Sequence, residues 1–191
     1  MEEHARVEWD KRYRERSHSS LTPDPFLITA FDEFVSPAFP NGGDALDLAG
    51  GVGRHALYLA GRRWRVTLVD VSAEGLQAAR SEAQKRQLDI AIEQADLTEW
   101  LLPRASFDLV LNFFYLERAL FSQMLDALRP GGFVVFKTYT CDQLALGGGP
   151  SHPMHLLERN ELLHAFRDLR ILHYHESVRR KAVAELVAQK L

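Results

Sequence analysis

Asp47, Asp70 and Asp96 each stand at the end of a short strand-like run in this 191-residue chain. After the first of them the chain passes through Ala49-Gly50-Gly51-Val52-Gly53 and enters a helical pattern at Arg54. A carboxylate in such a place has two uses. It can cap the helix or turn that follows, or it can meet a ligand that brings hydroxyls, an amine or positive charge. One aspartate after a strand is often a turn former. Three at successive strand ends, beside a glycine-rich turn, point more specifically to a ligand.

Charge separates the ligands that would fit. Gly51-Val52-Gly53-Arg54-His55-Ala56 matches the loose dinucleotide fingerprint, and Asp70 follows at the usual spacing. Taken alone, that fits a NAD-dependent oxidoreductase. A dinucleotide, however, lays a pyrophosphate over the turn, and Asp47 would face that anion and raise its energy. S-adenosylmethionine carries no phosphate. It brings a sulfonium and an ammonium, both positive, and one carboxylate that can use the N–H groups near Gly53. On that reading Asp70 accepts from the ribose hydroxyls, Asp96 accepts from the adenine amine, and Val71 and Leu97 flank the purine. NAD chemistry stays open as an alternative, as does a non-catalytic module that binds S-adenosylmethionine.

Elements that would position these residues can be read along the chain. Residues 3–15 read as a helix, 17–20 as a polar break, and 26–35 as a second helix stopped near Pro37. Residues 40–43 form a turn. Strands are expected at 45–48, 65–70, 90–96, 107–112 and 133–139, with helices at 54–62, after an N-cap at Ser72 to about 87, and at 116–128. Pro130-Gly131-Gly132 reads as the turn into the fifth strand. Such alternation predicts an open α/β sheet, parallel through these five strands, with its ligand at their carboxyl ends. Residues 141–153 read as a long glycine- and proline-rich loop at that edge. A helix follows at 159–166. Two strands, 171–176 and 182–189, lie too close for a crossover helix and must pair antiparallel.

Bulk composition sets outer limits. The chain is 46% hydrophobic and 26% charged, with a net charge of −3. This fits one globular domain, with no overall attraction to nucleic acid or anionic membrane. No apolar run is long enough for a membrane span, and the first residues do not read as a signal peptide. A single cysteine, Cys141, fits a reducing, cytoplasmic setting. The basic run from Lys11 to Arg16 reads as a solvated helix face.

The chain resembles the class I S-adenosylmethionine-dependent methyltransferases along most of its length. The matching pieces are Leu46-Asp47-Leu48-Ala49-Gly50-Gly51-Val52-Gly53, Val69-Asp70, Gln94-Ala95-Asp96-Leu97, Phe107-Asp108-Leu109-Val110 and Leu128-Arg129-Pro130-Gly131-Gly132-Phe133. Trp9-Asp10-Lys11-Arg12-Tyr13 and Gly149-Pro150-Ser151-His152-Pro153-Met154-His155 are most similar to the small bacterial tellurite-resistance-type enzymes. This resemblance implies a Rossmann-like α/β/α sandwich with a seven-stranded, mostly parallel sheet whose last strand is antiparallel. It implies one domain over 1–191, with a helical cap at 1–40 and the core at 41–191. Trp9 and Tyr13 would fold over the cofactor, and Ala49, Gly50, Gly51, Gly53 and Asn112 would join Asp47, Asp70, Val71, Asp96 and Leu97 around it. The product would be S-adenosylhomocysteine.

Two departures bear on this. The family usually has glycine where Ala49 stands, and alanine is tolerated there if its φ is negative. Asn112-Phe113-Phe114-Tyr115 echoes the Asn-Pro-Pro-Tyr motif of amino-methylating enzymes without its prolines. The expected acceptor is therefore a small molecule (a thiol, a chalcogen oxyanion or a hydroxyl), taken by a monomer or homodimer. Tyr115 and His155 are the acceptor-site candidates. Tyr115 can equally be core packing beside Phe113 and Phe114. His152 can orient an acceptor, Lys137 interrupts an apolar strand, and His173 and His175 share a strand face without a third ligand, so no metal site is expected.

Overall fold

The computed structural model describes residues 2–15 and 19–191, and the side chains of its first helix from Arg6 onward. Of the expected polar break, residues 17 and 18 lie outside the described residues, as does the last member of the basic run at 16. The chain forms two compact units, Met1–Leu101 and Leu102–Leu191.

The first unit contains helix α1 (Glu2–Arg14), α2 (Pro25–Ala30), a π-helical turn (Phe31–Val35), α3 (Ser36–Ala38), β1 (Asp44–Leu48), α4 (Arg54–Ala60), β2 (Arg65–Asp70), α5 (Ala73–Arg86) and β3 (Ile90–Gln94). The last four residues of strand β1 are buried, as a strand inside a parallel sheet must be, although Asp47 is one of them. Helix α5 follows from its caps. The Ser72 hydroxyl accepts from Gly75 N at 3.1 Å, and Gln87 closes the helix in the left-handed region at φ 56°. Between them Leu76, Ala79 and Ala83 form a buried stripe. Asp24 caps α2 by accepting from Phe26 N at 2.9 Å, with Pro25 at the first helical position. Phe31, Phe39, Tyr58 and Trp64 pack edge to face at 5.6–6.1 Å. Pro37 does not stop the helix at 35. The π-turn resets the hydrogen-bond register, and Pro37 falls in the first turn of α3, where its missing N–H costs nothing.

The second unit contains β4 (Phe107–Phe113), α6 (Leu120–Ala127), β5 (Leu128–Tyr139), α7 (Gln143–Leu146), a 3-10 turn (Pro153–His155), α8 (Glu161–Ala165), β6 (Arg170–Val178) and β7 (Ala182–Gln189). Phe121, Phe136 and Phe166 form its aromatic cluster at 5.6–6.0 Å. Helix α6 begins four residues later than expected. The 130–132 turn is absorbed into β5. Phe107 pairs with Leu128 and Leu109 with Phe133, so Arg129 to Gly132 bulge out. Gly131, at φ +84°, donates to Lys190 O at 2.7 Å, which turns the bulge to face the chain beyond β7. The loop after β5 holds a short helix, α7.

All seven strands form one sheet in the order β3-β2-β1-β4-β5-β7-β6. β1–β2, β2–β3 and β4–β5 are parallel, and β7 is antiparallel to both β5 and β6. This is the Rossmann-like, mostly parallel α/β sheet with an antiparallel last strand that the resemblance implies. No helix among the described residues is long and apolar enough to cross a membrane.

Candidate functional site

The turn after β1 and the ends of β1 and β2 form the most unusual part of the first unit. Asp47 sits in β1 at 1% exposure. Its Oδ2 accepts from Ala56 N at 3.0 Å, so this oxygen caps α4. Its Oδ1 is buried and has no hydrogen-bond partner among the described residues. One carboxylate thus divides its oxygens between helix capping and an unmet demand for a donor. An orphaned acceptor of this kind costs roughly 1–3 kcal/mol. Burial pushes the Asp47 carboxyl up to about 7, against the opposing pull of the Ala56 N–H and the Arg54 guanidinium, while Asp70 pushes it further up.

Asp70, at the end of β2, is 5% exposed. Its Oδ2 accepts from Gly51 N at 2.8 Å and its Oδ1 from Ser72 N at 2.8 Å. It therefore ties the glycine turn to the start of α5. Each oxygen keeps a lone pair for a hydroxyl donor. Burial raises its pKa, the three backbone N–H groups of Ser72, Gly51 and Val71 lower it, and the Asp10 carboxylate raises it.

The glycines in between are needed for space as well as for conformation. A Cβ on Gly50 would stand 2.3 Å from Leu68 Cδ1 and 2.6 Å from Asp47 Oδ2. Gly51 and Gly53 take φ +56° and +75°, and a Cβ on Gly53 would meet Ala79 Cβ at 3.0 Å. Ala49 breaks the expectation of a negative φ. It lies at φ +52°, in the left-handed region that glycine occupies freely and alanine does not.

The Tyr13 ring rests against this turn, and Trp9 stacks on Tyr13 at 5.8 Å between centroids. Burial and the Asp70 charge drive the Tyr13 phenol pKa far upward. Tyr13, Asp47, residues 49–53 and Asp70 are therefore brought together. Asp10 belongs with them, although no role was expected for it. It accepts from Ser72 Oγ at 2.6 Å and Glu74 N at 3.2 Å. The clue available in the sequence is its spacing, one helical turn before Tyr13 on the same face.

Asp96 differs from the other two acids. β3 ends at Gln94, and Asp96 Oδ1 accepts from Thr98 N at 2.8 Å and Thr98 Oγ1 at 2.7 Å. It forms a turn of its own, as a lone aspartate after a strand often does. Leu97 beside it is buried, and the half-buried Val71 accepts through its carbonyl from Gln94 Nε2 at 3.2 Å.

In the second unit Asn112 is 1% exposed, and neither its Oδ1 nor its Nδ2 has a partner among the described residues. Tyr115 is half-buried just past β4. Lys137 pairs with Glu185 across β5 and β7 at 2.9 Å. His155 lies in the 3-10 turn with its ring 6.1 Å from that of His152. Arg118 holds this turn through the Met154 carbonyl at 3.1 Å and the Leu156 carbonyl at 2.9 Å. His173 and His175 lie in β6 opposite Val187 and Glu185.

Residues 45–132 match the family described as a methyltransferase domain. A 23S rRNA (uracil(747)-C(5))-methyltransferase of Pyrococcus abyssi is 36% identical over 67 residues, which is 35% of this chain and 15% of that protein. An S-adenosyl-L-methionine-dependent Diels-Alderase of Talaromyces variabilis is 37% identical over 105 residues, 50% of this chain and 36% of that protein. The chain thus spans well under half the length of either curated relative. The crystal structure of TehB from Haemophilus influenzae superposes with a TM-score of 0.76 over 95% of this chain and 67% of that one, at 18% identity. At that identity the likeness is one of fold.

Proposed function

We propose that this chain, which carries a methyltransferase domain over residues 45–132 and the fold of the class I S-adenosylmethionine-dependent methyltransferases, moves a methyl group from S-adenosylmethionine to a small-molecule acceptor. The observation that carries this reading is the buried, unpartnered Oδ1 of Asp47 at the mouth of the glycine turn. It asks for a donor, and a cationic donor best of all. The ammonium of S-adenosylmethionine meets that demand. A pyrophosphate would make it worse, which disfavours the NAD alternative.

The remaining assignments follow from the same chemistry. Asp70 accepts from the ribose hydroxyls with its free lone pairs, while Gly51 and Ser72 N–H hold it in place. Val71 and Leu97 flank the adenine, and Asp96 accepts from its amine after turning away from Thr98 Oγ1. Trp9 and Tyr13 cover the cofactor from α1. S-adenosylmethionine supplies a methyl group already activated on sulfur. The chain's task is then alignment and exclusion of water, and a soft acceptor needs little help from a base. Asn112 joins the cofactor side, and Tyr115 and His155 are the candidates for the acceptor side. A thiol, a chalcogen oxyanion or a hydroxyl is the proposed acceptor class, in a cytoplasmic monomer or homodimer.

Calorimetric titration with S-adenosylmethionine, S-adenosylhomocysteine and NAD tests the cofactor. Binding of the first two and not the third is expected, and Asp47→Asn should weaken S-adenosylmethionine about 10- to 100-fold. Heat from NAD alone overturns the reading. A thiol and chalcogen-oxyanion panel, read by release of S-adenosylhomocysteine, then tests the acceptor. Tight binding with no release from any acceptor would favour a non-catalytic module.

A further inference from the structure

The carboxyl ends of β4 and β5 carry two aromatic rings and two ammoniums close together. The Phe114 and Tyr139 rings lie 5.2 Å apart between centroids, tilted by 49°. Lys181 Nζ stands 5.1 Å from the Phe114 centroid and 5.7 Å from that of Tyr139. Lys137 Nζ stands 5.8 Å from the Phe114 centroid. All three distances are within reach of a cation–π attraction.

The two lysines differ in what else they meet. Lys137 shares a face of β5 with Tyr139 and is neutralised by Glu185 at 2.9 Å. Lys181 is exposed, and no carboxylate lies within ion-pair distance of it among the described residues. It ends the run Arg179-Arg180-Lys181 before β7, so the charge around it is positive. An ammonium has three N–H donors, and ring faces do not replace an anion. The backbone holds this shelf at a cost. Phe114 lies at φ +61°, an outlier for a bulky residue, and its N–H donates to Lys137 O at 2.7 Å. Strained positions of this kind gather at ligand sites. On the Tyr139 side, a Cβ on Gly149 would stand 3.4 Å from Tyr139 Cε1, so the glycine loop walls that ring.

Resting on the methyl-transfer reading above, we propose that Lys181 and the Phe114–Tyr139 shelf select an aromatic acceptor that carries a carboxylate beside its thiol or hydroxyl. The acceptor ring stacks on Phe114 and Tyr139, and its carboxylate pairs with Lys181. For a thiol, the proton is lost to water and the sulfur lone pair takes the methyl group from the sulfonium. The bonding pair of the broken S–CH3 bond stays on the donor sulfur, which leaves as S-adenosylhomocysteine. A single ring with one carboxylate also fits the chain's net charge of −3 better than a polyanion such as RNA does.

Steady-state release of S-adenosylhomocysteine with thiosalicylate, thiophenol and thioglycolate tests this. Thiophenol lacks the carboxylate and thioglycolate lacks the ring. The KM for thiosalicylate should be about tenfold below that of either. Lys181→Met should close the gap between thiosalicylate and thiophenol, and Lys181→Arg should restore it. Tyr139→Leu should raise KM for both aromatic thiols alike. A thiosalicylate KM no lower than that of thiophenol, or a gap that survives Lys181→Met, overturns the proposal. Methylation of none of the three, or of an RNA oligonucleotide alone, with S-adenosylhomocysteine still bound, overturns it too and leaves the cofactor reading intact. Failure of the parent protein to bind S-adenosylhomocysteine in calorimetry overturns both.

Discussion

The backbone N–H of Gly51 donates to Asp70 Oδ2 at 2.8 Å, which ties the turn after β1 to the end of the neighbouring strand β2. The other oxygen of the same carboxylate holds Ser72 N at 2.8 Å. One side chain thus fixes both the glycine turn and the start of α5. Asp70→Ala leaves two buried N–H groups without acceptors. A loss of about 2–4 kcal/mol in urea unfolding is expected. Asp70→Asn keeps one acceptor and should lose about half as much. An Asp70→Ala protein as stable as its parent would mean that the turn holds its own shape.

Asp47 makes stability and ligand binding respond to pH in opposite directions. Burial raises its pKa from the usual carboxylate range to about 7, so the folded protein holds this proton more tightly than the unfolded chain does. The stabilisation is full below about pH 4 and is lost as pH rises toward 7, on the order of 4 kcal/mol in all. A cationic ligand instead needs Asp47 ionised. S-adenosylmethionine affinity should fall about tenfold for each pH unit below 7. Calorimetry in two buffers of different ionisation enthalpy should show proton release on binding at pH 6. Asp47→Asn should abolish that release and raise stability at pH 8. Release that persists in Asp47→Asn would assign the proton to another group.

Ala49 carries backbone strain that glycine would relieve. At φ +52° its Cβ costs about 1 kcal/mol. Ala49→Gly should therefore stabilise the protein by up to about 1 kcal/mol, roughly 2–4 °C in Tm for a chain of this size. A drop in Tm would show that the methyl group makes packing contacts worth more than the strain.

Gln143 binds the loop after β5 together. Its Nε2 donates to Gly147 O at 3.0 Å and Gly148 O at 2.8 Å, and its Oε1 accepts from Ala182 N at 2.8 Å. It is 3% exposed. Gln143→Ala should cost about 2–3 kcal/mol and accelerate hydrogen exchange at 144–149. Exchange unchanged there would mean that the three glycines at 147–149 keep their path without it.

Much of this fold is legible in sequence where one local signal sets one element. Ser72 before Ala73 is an N-cap by chemistry alone, and the short spacer between 176 and 182 leaves no topology but a hairpin. Asp47 and Asp70 are legible as strand-end acids for a similar reason. The failures come from long-range terms. Pro130-Gly131-Gly132 has the composition of a turn, yet β4 and Lys190 capture it into β5 as a bulge. Asp10 lies 62 residues from Ser72 in sequence, so no local pattern reveals that contact. The φ of Ala49 is set by how β1 must leave the sheet, and its residue type argues the other way.

The insertion of β7 between β5 and β6 has a consequence for the order of events during synthesis. β6 leaves the ribosome before β7, yet β7 is its only neighbour in the sheet among the described residues. Until residues 182–189 emerge, β5 and β6 are two separate open edges with no route to pair through the strand that belongs between them. The second unit must therefore wait, exposed, for its last strand. Ribosome-bound chains halted before residue 182 should be captured by chaperones and cut by proteases far more readily than chains carrying residues 182–189 and an added C-terminal linker long enough to bring them out of the ribosome.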